Sequence, residues 1–574
     1  MSACTSAVEG PTAVSKASAQ HHEFIRSEAR RLISDSAAVA KLEPRELCRV
    51  RWLFYRGDEN YGLGNVLYDV SSAAALALAT NRTLVYGLSE SDRKFGTLIK
   101  WPGVMTMEDA DALRRQARCG SGPLSTVRRV HLAPDRCTFH RVWRKERNGN
   151  LRCFRRLLGI NWLAEHAPLL ELSKVHAFTG LQTLLKSSHE PVRRRVAAFT
   201  GGCMREWARP NVHGAILATL MRPVPAVLDA VSWAQQQQQL GGGGGGARRR
   251  AAAATAPALA LHVRAMSDHR AKNTSANEQA RQMLNALQCV RRATWDLLGA
   301  RSADATRSPT SAAASGLAPD GALPIVVLSS SPELRAQLVR RMNARNRRAS
   351  AGNLPPSKRE APLHPLVFDW RSYLSQAPPG MAAALSTAEG AAAAFCAGVD
   401  ANVTYRCNRE AHLRDWGPEP HWVAVVELLL LASTTHIIIG AGSPYFKVCN
   451  TFTQIGAALA DAAPEWLCEP GDQRRRRRGG GGKCTAGPRG VRLLCASRVF
   501  STDWGSSAWR TLNATKRRGM DYVVDCGAQR CLQTPMQPDL WPGLRGSHCP
   551  ADGDTQGQAG LVFGQPVKAL HSHH

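Results

Sequence analysis

The order of elements in this chain is set near its N-terminus by residues 50–88, which read VRWLFYRGDENYGLGNVLYDVSSAAALALATNRTLVYGL. The pattern predicts a strand over residues 50–56, a glycine-containing turn, a helix of small apolar residues over 65–79, and a second strand over 83–88. Strand, helix and strand in this order form a βαβ unit, in which the two strands run parallel. The glycine turn then lies at the carboxyl end of the first strand, where open α/β sheets bind ligands.

The same alternation recurs in the second half of the chain. Ser275 and Glu278 have the spacing of a capping box at the start of the first helix there. Strands are predicted over 258–264, 324–329, 366–369 and 436–441, and helices over 280–297, 332–345, 423–431 and 446–460. The expected fold class is α/β, with two tandem Rossmann-like, doubly wound domains and a ligand cleft between them.

Segments of low complexity divide the chain further. Runs of glutamine, glycine and arginine have no apolar face to pack, so they are predicted as inserts. The expected organisation is an N-terminal tail, an N-terminal α/β domain, an insert, a C-terminal Rossmann-like domain, a linker and a C-terminal extension of unassigned role. These correspond to residues 1–47, 48–231, 232–255, 256–463, 464–483 and 484–574.

Composition narrows the class of protein. A hydrophobic content of 44% and a charged content of 21% exclude a wholly disordered chain and a polytopic membrane protein. The formal net charge of +29 favours anionic partners. However, no RNA-binding motif or zinc finger accompanies the basic runs, so solvated inserts are expected rather than a nucleic-acid partner. The sequence shows no signal peptide and no membrane anchor, and no membrane span is predicted.

Two glycine-rich turns are candidate ligand sites. Gly62-Leu63-Gly64-Asn65 precedes the first long helix, and Gly442-Ser443 follows the predicted strand 436–441, so both place backbone amides at a helix start, where phosphate binds. Leu67 replaces the third glycine of a dinucleotide fingerprint, which argues against NAD and leaves a purely structural turn as the alternative. Tyr445 stands where a hydrolase nucleophile elbow needs glycine, which argues against that enzyme class.

The end of the predicted strand 258–264 carries two further candidates. His262 and Arg264 alternate along the strand and therefore share one face. Arginine offers a planar fork of donors suited to a pyrophosphate, and Asp268 follows closely enough to orient it. The alternative is an ordinary strand end with a surface arginine.

Cysteine spacing predicts no metal site, because Cys526, Cys531, Cys549 and His548 match no common zinc module. Disulfides or free thiols are expected there. Four N-glycosylation sequons would accept a glycan if the chain enters the secretory pathway, at Asn81, Asn273, Asn402 and Asn513.

Taken in order, these segments resemble the fucosyltransferase superfamily, which includes core α-1,6-fucosyltransferases, protein O-fucosyltransferases and xyloglucan fucosyltransferases. The resemblance spans residues 48–463. It is carried by the Gly62–Asn65 turn with residues 80–85, by LMRPVP at 220–225 with His262-Val263-Arg264, by VLSSSPE at 327–333, and by residues 425–446.

The resemblance implies a GT-B-like fold and a metal-independent, inverting transfer of fucose from GDP-fucose to a glycan or glycoprotein hydroxyl. Arg264 would grip the pyrophosphate, and either Asp268 or Glu278 would act as the base. The other implied donor contacts are Gly62, Leu63, Gly64, Asn65, His262, Glu427, Gly442 and Ser443. The Golgi or ER lumen is the implied location.

Three positions depart from the pattern of the α-1,6 enzymes. Ala265 replaces a second arginine, and Ser330 and Ser331 replace acidic residues. Two alternatives to a transferase therefore stay open, namely a catalytically inactive nucleotide-sugar-binding protein and a basic nucleic-acid-binding or scaffold protein. The sequence predicts neither the acceptor nor the oligomeric state.

Overall fold

The computed structural model describes part of the chain in detail. The described residues are 11–56, 63–87, 96–119, 129–131, 161–164, 167–173, 189–200, 212–240, 257, 259–263, 283, 286–287, 290, 294, 323–329, 332–350, 362–397, 420–435, 437–441, 451–460, 463–466 and 492–495. Those up to Arg222 form one compact unit, and those from Pro223 onward form a second.

The strands and helices alternate along both units. The strands are β1 (Trp52–Arg56), β2 (Thr83–Gly87), β3 (Ile99–Lys100), β4 (Arg129–His131), β5 (Leu169–Ser173), β6 (Arg222–Pro223), β7 (Leu259–Val263), β8 (Leu323–Ser329), β9 (Leu363–Leu366), β10 (Ile437–Ala441), β11 (Ala463–Trp466) and β12 (Arg492–Cys495). The helices are α1 (Pro11–Val39), α2 (Pro44–Leu47), α3 (Leu63–Thr80), α4 (Met107–Gln116), α5 (Glu190–Thr200), α6 (Val212–Leu220), α7 (Pro225–Leu240), α8 (Pro332–Ser350), α9 (Trp370–Gln376), α10 (Pro379–Ala397), α11 (His421–Ala432) and α12 (Thr451–Leu459).

The first unit contains a parallel four-stranded sheet in the order β2-β1-β5-β4. Trp52 lies opposite Thr83 on one side and Leu169 on the other, so β1 is a central strand. The parallel pairing predicted for residues 50–88 is confirmed. Because successive side chains of a strand point to opposite faces, Leu53 packs on the α3 side while Trp52 packs with Ala110 of α4.

Helix α3 forms the centre of this unit because its side chains are small. The alanine-rich run Ala73–Ala79 is fully buried between the sheet and the neighbouring helices α1, α5 and α6. In the part of the chain that the structure describes, α3 is the one helix whose length and hydropathy would suit a membrane span, and almost all of it is buried inside the protein.

The segment predicted as an N-terminal tail contains the long helix α1. Its buried side chains are spaced alternately four and three residues apart, which gives one apolar stripe along a helix: Ile25, Ala29, Leu32, Ser36 and Val39. This stripe packs on α6 and α3. Just beyond α2, a disulfide joins Cys48 to Cys119, which follows α4. The sequence did not predict this pair.

The second unit contains a parallel six-stranded sheet in the order β11-β12-β10-β7-β8-β9. Helices cover both faces, since Leu261 of β7 packs with Leu338 of α8 while the next residue, His262, contacts α12. The predicted α/β class with parallel sheets is confirmed.

Several elements differ from the sequence prediction. The strand predicted over residues 366–369 lies earlier, because β9 spans Leu363–Leu366. The Asp369 side chain instead caps α9 by accepting hydrogen bonds from the Arg371 and Ser372 backbone amides. Helix α7 continues through the glutamine run to Leu240. Strands β11 and β12 were not predicted, and β12 joins the sheet between β10 and β11.

Candidate functional site

The second sheet has a topological switch point between β7 and β10. From β7 the chain adds β8 and β9 on one side, then returns to place β10 on the other side. In open parallel sheets, a reversal of this kind leaves a crevice at the carboxyl ends of the two strands, and ligands bind there. The strand ends at this point are His262 and Val263 of β7, which lie opposite Gly440 and Ala441 of β10.

His262 is the polar side chain that this geometry places at the end of β7. Its Nδ1 lies 2.7 Å from the hydroxyl Oγ1 of Thr453, and its ring centroid lies 4.9 Å from that of Phe452. Only 6% of His262 is exposed. Gly440, its neighbour on β10, has no side chain, and the neighbour on β8 is Leu328. The imidazole is therefore held in one orientation by α12 rather than by the sheet.

The first turn of α12 also lies at the carboxyl end of β7. Thr453 is fully buried and is the third residue of the nine-residue helix. The first backbone amides of a helix have no partner within the helix and carry the positive end of its dipole. Because Thr453 contacts His262, this helix start lies beside the carboxyl end of β7. Ser329, which ends β8, is also fully buried and lies opposite Val263.

Glu427 lies in a buried ion pair. Arg335, near the start of α8, donates from Nη1 to Oε1 of Glu427 over 2.8 Å, and both side chains are 8% exposed. The positive charge of Arg335 also acts on Asp369. Burial raises the pKa of Asp369, but the hydrogen bonds from Ser372 and Arg371 and the charge of Arg335 have a larger opposite effect, so the pKa is lowered. The carboxylate of Glu427 thus has a protein partner that fixes α8 to α11.

The first sheet has a switch point of its own, between β1 and β5. Helix α3 begins shortly after β1, and Leu63, Gly64 and Asn65 form its first turn. The Oδ1 atom of Asn65 is buried and accepts no hydrogen bond from any residue that the structure describes. The predicted turn therefore does lie at a helix start, with an unused acceptor in it.

Further along α3, several of its buried side chains form polar contacts with neighbouring elements. Tyr55 donates a 2.8 Å hydrogen bond to Oδ2 of Asp69, and Ser71 Oγ lies 2.9 Å from Nδ1 of His213. The His213 ring stacks on Tyr68 with centroids 4.4 Å apart. Burial lowers the pKa of His213 to about 3, so this imidazole is neutral at physiological pH.

Several predicted site residues lie outside the described residues: Gly62, Arg264, Asp268, Glu278, Gly442 and Ser443. Arg264 is the residue that follows Val263, the last residue of β7. Among the residues that the structure does describe, no three His, Cys, Asp or Glu side chains are grouped so that they would hold a metal ion.

A family model matches residues 2–300 and 393–467, well over half of the chain, and its description is "Family of unknown function (DUF7810)". The chain belongs to this family. No curated protein matches the sequence. Among solved structures, the chain is similar to an arginine-to-lysine mutant of Arabidopsis thaliana FUT1 in complex with GDP. That match has 11% identity and a TM-score of 0.37, and it covers 75% of this chain and 76% of that one. At this score the likeness carries no inference about activity.

Thr453 and Phe452 are the site residues of this DUF7810 member that the sequence did not predict. Both lie inside the predicted helix 446–460, which in the described residues begins only at Thr451. No local pattern in the sequence shows that Thr453 contacts His262, which lies 191 positions earlier.

Proposed function

We propose that this protein is a glycosyltransferase that transfers fucose from GDP-fucose to a hydroxyl of a glycan or glycoprotein. The proposal includes a GT-B-like fold and inversion at the sugar carbon. One observation carries it: the switch point of the second sheet, where His262 at the end of β7 meets the first turn of α12. Nucleotide diphosphates bind at such switch points because a helix start faces the strand ends.

The sequence supplies the charge that a diphosphate needs at this point. Arg264 follows directly after β7, and its guanidinium would pair with two phosphate oxygens at once. The amides at the start of α12 add the positive end of a helix dipole. The motifs around His262 and Arg264 are also those that resemble the fucosyltransferases, which favours a guanine nucleotide as the donor.

The proposed chemistry is a single displacement. Asp268 or Glu278 would take the proton from the acceptor hydroxyl, which then attacks the anomeric carbon of fucose. The bond from that carbon to the diphosphate breaks, and GDP leaves with the electron pair. Arg264 and the helix start would stabilise the charge that develops on GDP. These roles are what the resemblance implies for this chain, and none of them requires a metal ion.

The disulfide supports a location in the ER or Golgi lumen. Disulfides form and persist in oxidising compartments and are rare in the cytosol. Cys48 and Cys119 lie 71 residues apart in sequence, and their bridge ties the segment before β1 to the end of α4. A lumenal location would also bring the protein together with glycan acceptors.

The test combines donor binding with turnover. Calorimetry should show that GDP and GDP-fucose bind, with and without EDTA, and that UDP-sugars do not. Arg264→Ala should weaken GDP binding and reduce fucose transfer roughly 100- to 1000-fold, because a donor aimed at the leaving group contributes about 3–4 kcal/mol. Arg264→Lys should recover little, since lysine lacks the planar fork. Arg347→Ala is the matched control, because Arg347 is exposed in the last turn of α8.

Each outcome separates the proposal from its alternatives. GDP binding without any transfer of fucose would show a nucleotide-sugar-binding protein instead of an enzyme. Binding to nucleic acid that weakens steeply with salt, together with no effect of GDP, would show the nucleic-acid alternative. Full activity of Arg264→Ala would show that Arg264 is an ordinary surface arginine.

A further inference from the structure

We propose that Asn81 is an N-glycosylation site, modified before the first unit folds. Asn81, Arg82 and Thr83 form the sequon between α3 and β2. The proposal depends on entry into the secretory pathway, which the Cys48–Cys119 disulfide supports independently of any transferase activity.

Asn81 has the geometry of a surface acceptor. It is exposed and has a φ of 53°, in the left-handed region that asparagine and glycine tolerate best. Its amide donates to the Leu78 carbonyl over 3.3 Å, and the Arg82 amide donates to the Ala77 carbonyl over 3.0 Å. These two bonds form a Schellman motif with Asn81 at the C′ position. The backbone favours asparagine or glycine there, while the Asn81 carboxamide makes no hydrogen bond to the residues that the structure describes.

The other two sequon residues are fixed in the fold. Arg82 is 4% exposed, and its Nη1 donates to the Ala167 carbonyl over 2.9 Å and to the Trp52 carbonyl over 3.3 Å. The Thr83 amide donates to the Arg51 carbonyl over 2.9 Å as β2 begins. A transferase must reach the hydroxyl of the third sequon residue as well as the asparagine. Because Arg82 is buried and the Thr83 backbone is held in β2, the sequon can adapt its backbone to a transferase only before β2 joins the sheet.

The modification needs a lipid-linked oligosaccharide diphosphate as its co-reactant. A bond forms between the carboxamide nitrogen Nδ2 of Asn81 and the anomeric carbon of the first sugar, as the bond from that carbon to the diphosphate oxygen breaks. Nδ2 loses one proton, and the lipid diphosphate leaves with the electron pair. No oxidant or reductant takes part.

A glycan at Asn81 would leave the candidate ligand end of the first sheet open. Asn81 precedes Thr83, the first residue of β2, so it lies at the end of the sheet where the parallel strands begin. Leu63 and Gly64 follow the carboxyl end of β1 and lie at the opposite end of the strands. Strand β2 is also an edge strand, so a polar glycan beside its start adds protection against pairing with another chain.

The test uses the full chain, secreted from eukaryotic cells behind a cleavable signal sequence. Peptide mapping after enzymatic deglycosylation in heavy-oxygen water marks each asparagine that carried a glycan. We expect the peptide with Asn81 to be marked in most copies of wild type. Thr83→Ser, which keeps the sequon, should also be marked. Thr83→Val keeps a β-branched side chain at the start of the strand but lacks the hydroxyl, and it should be unmarked.

Asn81→Gly provides a second variant that folds, because glycine suits the positive φ at C′. It removes the acceptor, so the glycan on this peptide should disappear while the melting temperature after deglycosylation stays that of wild type. Purified, folded protein made without glycans should remain unmodified when mixed with microsomes. The proposal is overturned if secreted wild type with its Cys48–Cys119 bond carries no glycan at Asn81, or if folded protein is modified.

Discussion

Nδ1 of His262 lies 2.7 Å from the hydroxyl oxygen of Thr453, a residue 191 positions later in the sequence. This bond joins the carboxyl end of β7 to the first turn of α12, across the switch point of the second sheet. It is the contact that fixes a helix start next to the strand end from which Arg264 follows. If a diphosphate binds at this switch point, as proposed above, its affinity should therefore depend on a hydroxyl that would not itself touch the phosphates.

Removing that hydroxyl should weaken both stability and binding. In Thr453→Val the buried His262 loses this hydrogen bond, which should lower the free energy of unfolding by about 1–3 kcal/mol. GDP affinity should fall as well, because the imidazole and the helix start are no longer held together. Thr453→Ser keeps the hydroxyl and should bind GDP like wild type. Urea unfolding and calorimetry on the same preparations measure the two effects.

Equal GDP affinity in Thr453→Val and wild type, with both proteins folded, would show that the switch point is not the donor site. If Thr453→Ser lost as much GDP affinity as Thr453→Val, the packing of the Thr453 methyl group would matter and the hydrogen bond would not.

The Arg335–Glu427 pair predicts a structural role for Glu427. Glu427→Ala removes one partner of this buried pair and leaves the guanidinium of Arg335 buried without it, so the free energy of unfolding should fall by about 3–5 kcal/mol. The double change Arg335→Met with Glu427→Leu replaces both charges with apolar groups and should recover most of that loss. Chemical unfolding of the single and double variants gives the values. If Glu427→Ala lost GDP binding at unchanged stability, the carboxylate would be a donor contact, as the family resemblance implies.

The elements that the sequence predicted well are those with a strong local pattern. The α3 helix and its flanking strands β1 and β2 follow from an alanine-rich run between two apolar strands, and no distant residue is needed to define them. Helix α1 also has a clear pattern, since its buried positions from Ile25 to Val39 alternate in steps of four and three. The sequence prediction nevertheless assigned this segment to a tail, because it has no continuous apolar run.

Pairings between distant segments could not be predicted in the same way. β12 is four residues long and follows an arginine and glycine run, so nothing local shows that it pairs with β10. The Cys48–Cys119 and His262–Thr453 contacts join residues far apart in sequence, and a single sequence does not show which distant residues are in contact. His262 itself was predicted because strand alternation alone places it at the end of β7.

The disulfide should contribute measurably to the stability of the first unit. Closing a loop of 71 residues removes chain entropy from the unfolded state, worth about 4 kcal/mol in the loop-closure model. The double variant Cys48→Ser with Cys119→Ser should be less stable by about that amount. Peptide mapping of unreduced, secreted protein should recover the two cysteines in one linked peptide. Recovery of both as alkylated free thiols would contradict the bond and remove the support for an oxidising compartment.

His213 should make the first unit sensitive to mild acid. Its pKa is lowered by burial to about 3, whereas in the unfolded chain it titrates near the ordinary histidine value of 6.5. Between these two values the unfolded state binds a proton that the folded state does not, so stability falls as pH falls. Above about pH 6.5 the full contribution is present, because both states are neutral there.

Below the unfolded-state pKa, the free energy of unfolding should fall by up to about 1.4 kcal/mol per pH unit because of His213. Between pH 7 and pH 5 this amounts to a loss of about 2 kcal/mol of stability. Two variants without a titratable ring should remove that part of the slope. His213→Gln retains a polar partner for Ser71, and His213→Phe retains the stacking on Tyr68. Each is expected to be less stable than wild type at pH 7 but flatter with pH. The comparison uses urea unfolding free energies from pH 5 to pH 7.5, above the range where most carboxylates titrate. An unchanged slope in both variants would show that the pKa of His213 is the same in the folded and unfolded states, which would contradict the lowering of its pKa by burial.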